Sequence, residues 1–266
     1  MVFIIIGAVL IIIAVLLFVF RGKAQNQAME MKYLKTSKTA ELKELHGTLI
    51  NEVGPDGVKQ LVEVKGTGRF IDPLVSEITQ AQCIGYSFTI TENYEEEYET
   101  RENDGRIVRN TRRGSNTVAS NSRYNSFILA DDTGELEVDP NGAEIDMTVS
   151  AERYEPYAAG AGFMQFGGFS LNIGIHPQRR ITGFNIRESI LPANKNLYIV
   201  GEMQDHSNKP VIRKPADRSK PFIISQKSEE ETIKQKETSA TIMLVIGIIL
   251  GLAGLGLTGF GITKVL

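Results

Sequence analysis

The chain has little that could carry chemistry. One cysteine, Cys83, and three histidines are the whole supply of thiolate and imidazole metal ligands in 266 residues. A lone cysteine excludes an intramolecular disulfide and leaves the redox compartment unreadable. Cys83 lies in the apolar run CIGYSF and reads as a small buried hydrophobe. His46, His176 and His206 stand far apart with no acidic or cysteine partner at ligand spacing, so no metal site is expected. There is no P-loop, no H-E-x-x-H, no G-x-S-x-G and no C-x-x-C. GTGRFI at Gly66 has two of the three dinucleotide-binding glycines, but no helix has room to follow before Pro73, so it reads as strand. No cofactor and no catalytic residue is expected.

Charge is absent from two long stretches. Val2–Phe20 and Ala240–Thr263 carry none, and each reaches the roughly 20 residues that an α-helix needs to cross a bilayer. A core helix of that length keeps a polar face, and these have none, so both read as transmembrane helices. The first lacks a basic leader and is followed directly by Arg21, which favours an uncleaved anchor over a signal peptide. All nine prolines, all 32 acidic residues and every basic residue except Lys264 lie between the two runs. That acidic balance argues against a nucleic-acid partner. The lipid bilayer is the expected surrounding, and an unidentified protein is the expected partner.

Between the runs, residues 24–46 have helix-forming composition, with Gly47 as a stop. Residues 47–226 change texture. Val, Ile, Thr, Tyr and Phe recur in short alternating runs separated by turn residues, which predicts an all-β sandwich or barrel-like domain. Ser228-x-x-Glu231 has capping-box spacing and opens a short polar helix over 227–239, feeding the membrane helix over 240–263. The expected architecture is a membrane-anchored all-β domain between transmembrane helices at 2–20 and 240–263.

Three stretches call for a choice between chemistry and scaffolding. In FILADDTGELEV the triplet Asp132-Thr133-Gly134 has the aspartic-protease spelling, but that reaction needs two such carboxylates sharing a proton, and Asp131 and Glu135 crowd the one present. The flanking alternation predicts a hairpin, with Gly134 supplying a positive φ. Calcium binding by Asp131, Asp132 and Glu135 lacks EF-hand spacing. In YEEEYETRENDGRIVRNTRRG the Asp104-Gly105 pair predicts a two-residue turn. That register places Asn103 opposite Arg106, Glu97 opposite Arg112 and Glu96 opposite Arg113. The stretch YAAGAGFMQFGGFSLNIGI sets Phe163, Phe166 and Phe169 among glycines and reads as cover for the core, or alternatively as a loop touching the bilayer.

The order of motifs resembles a known family. VEVKGTGRFIDPLVSEITQAQCIGYSFTI is followed by FILADDTGELEVDPNGAEID, ESILPANKNLYIVGE and KPFIISQKSEEE. The matching positions are Pro73-Leu74, Cys83, Tyr86, Asp132-Thr133-Gly134, Glu188, Tyr198, Gly201, Pro221-Phe222-Ile223 and Ser228-Glu229-Glu230. Over Leu61–Glu231 the chain resembles the GIDE family, whose domain is also called BAM (beside a membrane) and whose members include the mitochondrial ubiquitin ligase MAPL/MULAN. The resemblance implies a membrane-flanked domain that binds partners. The family's ligase activity belongs to a RING domain, which needs eight Cys/His ligands, more than the one Cys and three His present here. The expected function is therefore a non-enzymatic two-pass membrane protein whose β-domain binds a protein partner. A lipid-sensing module, and a hydrolase or family-type E3 ubiquitin ligase, are the alternatives.

Two expectations concern the helices. Basic residues follow the first (Arg21, Lys23, Lys32, Lys35, Lys38) and precede the second (Lys220, Lys227, Lys234, Lys236), which puts the β-domain in the cytoplasm by the positive-inside rule. The family resemblance favours the extracytoplasmic side. Gly247, Gly251, Gly254, Thr258 and Gly261 share one face of the second helix, where small residues admit another backbone closely. The expected occupant is the first helix through Gly7 and Ala14, with a homo-oligomer through Gly247, Gly251 and Gly254 as the alternative.

Overall fold

A computed structural model describes every residue except 102–104, 159, 175–178 and 265–266. The chain opens with α1 (Val2–Tyr33), β1 (Thr36–Ser37) and α2 (Thr39–Val53), then a single 3-10 turn at Pro55–Gly57. Strands follow: β2 (Lys59–Phe70), β3 (Leu74–Val75), β4 (Gln82–Cys83), β5 (Gly85–Arg101), β6 (Ile107–Tyr124), β7 (Phe127–Ala130) and β8 (Glu135–Val138). Next come β9 (Glu144–Ile145), β10 (Thr148–Pro156), β11 (Phe163–Phe166), β12 (Phe169–Asn172) and β13 (Arg179–Leu191). The chain closes with β14 (Asn196–His206), β15 (Lys209–Arg213), β16 (Ile223–Ser225) and α3 (Glu229–Thr263). Two long apolar helices thus flank a mostly β region. The chain divides into two compact units, one of residues 1–65 and 197–266, the other of residues 66–196.

In the first unit α1 and α3 pack against each other. Their buried positions recur every seven residues: Gly7, Ala14 and Ala28 on α1, Ala240, Gly247, Gly254 and Gly261 on α3. A heptad of small residues lets two backbones approach without side chains between them. A Cβ on Gly254 would lie 2.8 Å from Ile11 Cγ1 and 2.9 Å from the Gly7 carbonyl oxygen. One on Gly251 would meet only Ala14 Cβ, at 3.8 Å. The tight positions are therefore 254 and 261, while a Cβ at 247 or 251 would make ordinary van der Waals contact. Beyond the apolar runs, ion pairs take over the same seam, with Lys32 bonded to Glu237.

Both long helices continue from their apolar runs into polar sequence. α1 continues unbroken past the apolar run to Tyr33, so the helix expected over 24–46 is divided by the extended segment at Leu34–Lys38. Its second part, α2, passes through Gly47 and stops at Gly54, whose φ of 73° and ψ of 172° are a backbone conformation open to glycine. The polar and apolar parts expected at 227–239 and 240–263 form one helix, α3. It is capped as the spacing predicts: Glu231 N donates to Ser228 Oγ at 3.2 Å and Ser228 N donates to Glu231 Oε2 at 3.2 Å. A small core of Met31, Tyr198, Val200, Ile223 and Ile233 joins both helices to β14 and β16.

The second unit holds a four-stranded antiparallel sheet in the order β10-β13-β5-β6. Phe88, Ile90, Phe184 and Ile186 on its central strands pack with Leu74, Ile78, Cys83, Tyr86 and Phe166 in one core. The β11–β12 hairpin covers that core. Phe166 is fully buried against Phe184 (5.5 Å between ring centroids), and Phe169 lies 5.1 Å from Phe88. Two of the three phenylalanines of the glycine-rich stretch are thus core residues, and only Phe163 is exposed. Gly167, at the hairpin turn, has φ 64° and sits so close to the Ile78 carbonyl that any Cβ would collide with it.

The β5–β6 register differs from expectation by one residue. Glu95 faces Arg113 and Glu96 faces Arg112, while Glu97 faces Thr111. The offset is already present at Arg101, which pairs with Ile107, and a bulge removes it farther along: Ile90 pairs with Ala119 but Thr91 pairs with Thr117, leaving Val118 unopposed and restoring the expected register beyond it. The expected Asn103–Arg106 pairing and Asp104 of the turn lie outside the described residues, as does His176. Gly66 is within β2, as its motif suggests.

Candidate functional site

The polar groups buried in the second unit converge on Glu188. This β13 carboxylate has no exposed surface. It accepts from Ile78 N (2.7 Å), Thr79 N (3.1 Å), Ser76 Oγ (3.1 Å), Ser150 Oγ (2.9 Å) and Thr79 Oγ1. Burial pushes its pKa upward, but the hydrogen bonds from Thr79, Ile78 and Ser150 outweigh it, and the carboxyl sits below its usual range. All the donors but Ser150, which is on β10, come from the loop joining β3 to β4, so Glu188 ties that loop to the sheet. Neighbouring groups are equally occupied. Tyr86 OH donates to Glu77 Oε1 at 2.8 Å, and burial with that carboxylate pushes the phenol up to about 12. Cys83 is fully buried, and burial pushes its thiol up to about 11, far from a reactive thiolate.

In the first unit the corresponding group is Glu63, also without exposed surface. Tyr198 OH donates to it at 2.9 Å and Thr36 Oγ1 at 2.5 Å, and Lys65 Nζ stands 3.6 Å away. Burial outweighs these partners and raises the carboxyl above its usual range. Lys65 is shared with Glu229, at 2.7 Å in the first turn of α3. His46, expected to be satisfied or on the surface, is buried, with Nε2 2.8 Å from Asp205 Oδ1. The separation of these partners in sequence hides the pair from any spacing rule. His206 is exposed at the end of β14.

The Asp-Thr-Gly loop is a turn. β7 and β8 pair as a hairpin around residues 131–134. Asp131 Oδ1 accepts from Thr133 N (2.7 Å), Thr133 Oγ1 (2.7 Å) and Gly134 N (3.0 Å). The carboxylate closes the loop itself, so no left-handed residue is needed, and Gly134 does not have the positive φ expected of it. Among the described residues no group of three or more His, Cys, Asp or Glu is placed to hold a metal ion.

What the second unit presents outward is its charged hairpin. Arg112 bonds Glu96 at 2.7 Å, Arg113 bonds Glu95 at 3.2 Å and Arg180 of β13 bonds Glu95 at 2.5 Å. Arg180 first, then Arg113, hold the Glu95 carboxyl below its usual range. Arg179 stacks over Tyr94 at 3.8 Å. An open groove of about 920 Å³ runs along this face between Glu96, Tyr98, Arg112 and Arg179.

The GIDE family profile, described as E3 ubiquitin ligase, matches residues 95–259. The chain belongs to the GIDE family. The match begins at Glu95 in β5, later than the resemblance read from Leu61, and runs past Glu231 through most of α3. It includes the charged hairpin, Glu188, and Gly247 and Gly254 of the helix seam. No curated protein and no solved structure matches the chain.

Proposed function

We propose that this GIDE-family chain is a non-enzymatic, two-pass integral membrane protein whose β region binds a protein partner beside the bilayer. The observation that carries the membrane assignment is the exposure of the helix pair. Ile5, Ile12, Val19, Ile249, Leu252 and Leu255 are each at least 60% exposed. Soluble proteins do not leave two apolar helices bare along their whole length, and hydrocarbon solvates them at no cost. The basic residues around the polar ends of both helices favour a cytoplasmic β region; the extracytoplasmic side is the alternative.

Partner binding is favoured over catalysis because the buried titratable groups are engaged in holding loops and strands. Glu188, Glu63, His46 and Asp131 each have structural partners. The family's ligase description stays with the family. The lipid-contact reading rests on Phe163 alone, since Phe166 and Phe169 are in the core.

The test uses the full chain in native membranes. Alkaline washing should leave it in the pellet, and a photoreactive amino acid at exposed sheet positions should yield a crosslink to another protein. Release into the wash would overturn the two-pass reading. Crosslinks to lipid alone from every position would overturn protein binding.

A further inference from the structure

We infer that the outer edge of β6 is a docking site for an acidic, extended segment of a partner protein, which adds to the four-stranded sheet as a fifth strand. The inference deepens the partner-binding reading above and rests on it.

Three observations combine. β6 closes one side of the sheet, and from Ile107 to Tyr124 its outer edge pairs with no strand among the described residues. Edges of this length present a row of main-chain donors and acceptors and are normally shortened or covered. From Ile107 to Thr117 the strand pairs one-to-one with β5, and the bulge at Val118 ends that straight run. A peptide therefore has one uninterrupted register to join, limited at its far end.

The charge on this edge is of one sign. No acidic residue occurs between Arg106 and Tyr124, while Arg109, Arg112, Arg113 and Arg123 do. Their ion-pair partners lie on β5, behind them. Arg112 and Arg113 are 67% and 87% exposed, whereas Glu96 and Glu95 are 23% and 19% exposed. An approaching strand thus meets guanidinium groups first. A second copy of this chain, pairing β6 with β6, would bring arginine against arginine, which opposes self-association. An acidic strand brings the opposite charge into the same cross-strand positions. Nucleic acid and anionic membrane could meet the arginines but cannot pair with the main-chain edge, which is the larger part of the site.

The experiment uses the full chain in detergent, titrated with a fluorescent extended peptide alternating Glu with Val and Thr. It should bind at least about tenfold more tightly than the same peptide carrying Lys for Glu. Hydrogen exchange in the complex should slow at alternate amides between Ile107 and Thr117, because only every second N–H of an edge strand points outward. The triple variant R109Q/R112Q/R113Q should weaken binding by about tenfold, and unchanged exchange at the amides bonded to β5 would show its hairpin intact. Equal affinity for the two peptides overturns the assignment. So does binding without slowed exchange in β6, or equal affinity for RNA or anionic vesicles. A protein crosslinked only from another face overturns this site and leaves the partner-binding reading standing; no protein contact from any face removes both.

Discussion

Glu188 and Glu63 sit in different units, and each is a carboxylate with no exposed surface. Their ionisation is pushed in opposite directions. Burial disfavours the charge in both, so burial does not explain the difference. The donors do. Glu188 receives two main-chain N–H groups and three hydroxyls, all from elements that it holds in place. Glu63 receives two hydroxyls and a lysine at 3.6 Å that a second carboxylate shares. A buried carboxylate is stabilising when the fold supplies its donors and is a burden when it does not.

The comparison breaks most sharply on removal of each group. Glu188→Ala strands the N–H groups of Ile78 and Thr79 without an acceptor. It should cost roughly 3–5 kcal/mol, read as a fall of about 10 °C in the melting of the β region by near-ultraviolet circular dichroism. Glu63→Gln keeps an acceptor for Tyr198 and Thr36 while removing the poorly served charge, so it should change stability by less than about 1 kcal/mol at neutral pH. A larger loss for Glu63→Gln than for Glu188→Ala would reverse the account.

The pH dependence sharpens the same contrast. The lowered pKa of Glu188 contributes stability that is complete above its unfolded value of 4.5 and is lost as pH falls through the folded value. The raised pKa of Glu63 has the other sign: its contribution is complete below 4.5 and is lost as pH rises through the folded value. Melting temperatures followed from about pH 3 to about pH 8 should therefore lose their acid-side fall in Glu188→Gln and their fall above 4.5 in Glu63→Gln. Matching profiles for both variants would contradict the assignment of donors. The smallest effect belongs to the exposed hairpin. Glu95 also accepts from Arg180, so Arg113→Gln should leave the melting temperature unmoved within error.

How much of this was legible in the sequence depends on the range of the interaction. The apolar runs, the capping box at Ser228 and the turn at Asp131–Gly134 are local patterns, and each appears where its residues indicate. The strand-rich region follows from short alternating runs between turn residues. Misreadings arise where a distant pairing decides. The hairpin register is offset by one residue on the turn side and returns to the expected one only beyond a bulge at Val118, which no local signal marks. α1 extends to Tyr33 because α3 packs along it, and Gly134 needs no left-handed backbone because Asp131 closes the loop. Glu188, Glu63 and the His46–Asp205 pair were invisible as sites because their partners lie 38 to 159 residues away, apart from Thr36 and Lys65, which are nearer to Glu63. Glu188 and Tyr198 were found only as positions of the family resemblance.

The glycine face on α3 was legible as a face, and the structure fills it with α1 of the same chain. In the proposed two-pass arrangement, that intrachain pair holds both ends of the β region to one place in the membrane. It is tested most directly by Ala14→Cys with Gly251→Cys in the full chain, oxidised in native membranes. A Cβ at 251 lies 3.8 Å from Ala14 Cβ, the separation a disulfide needs. The account predicts a disulfide within single chains, seen as a faster-migrating monomer, and its loss when Gly254→Leu is added to push the helices apart. Disulfides that form only between chains would contradict it and assign the glycine face to a homo-oligomer instead.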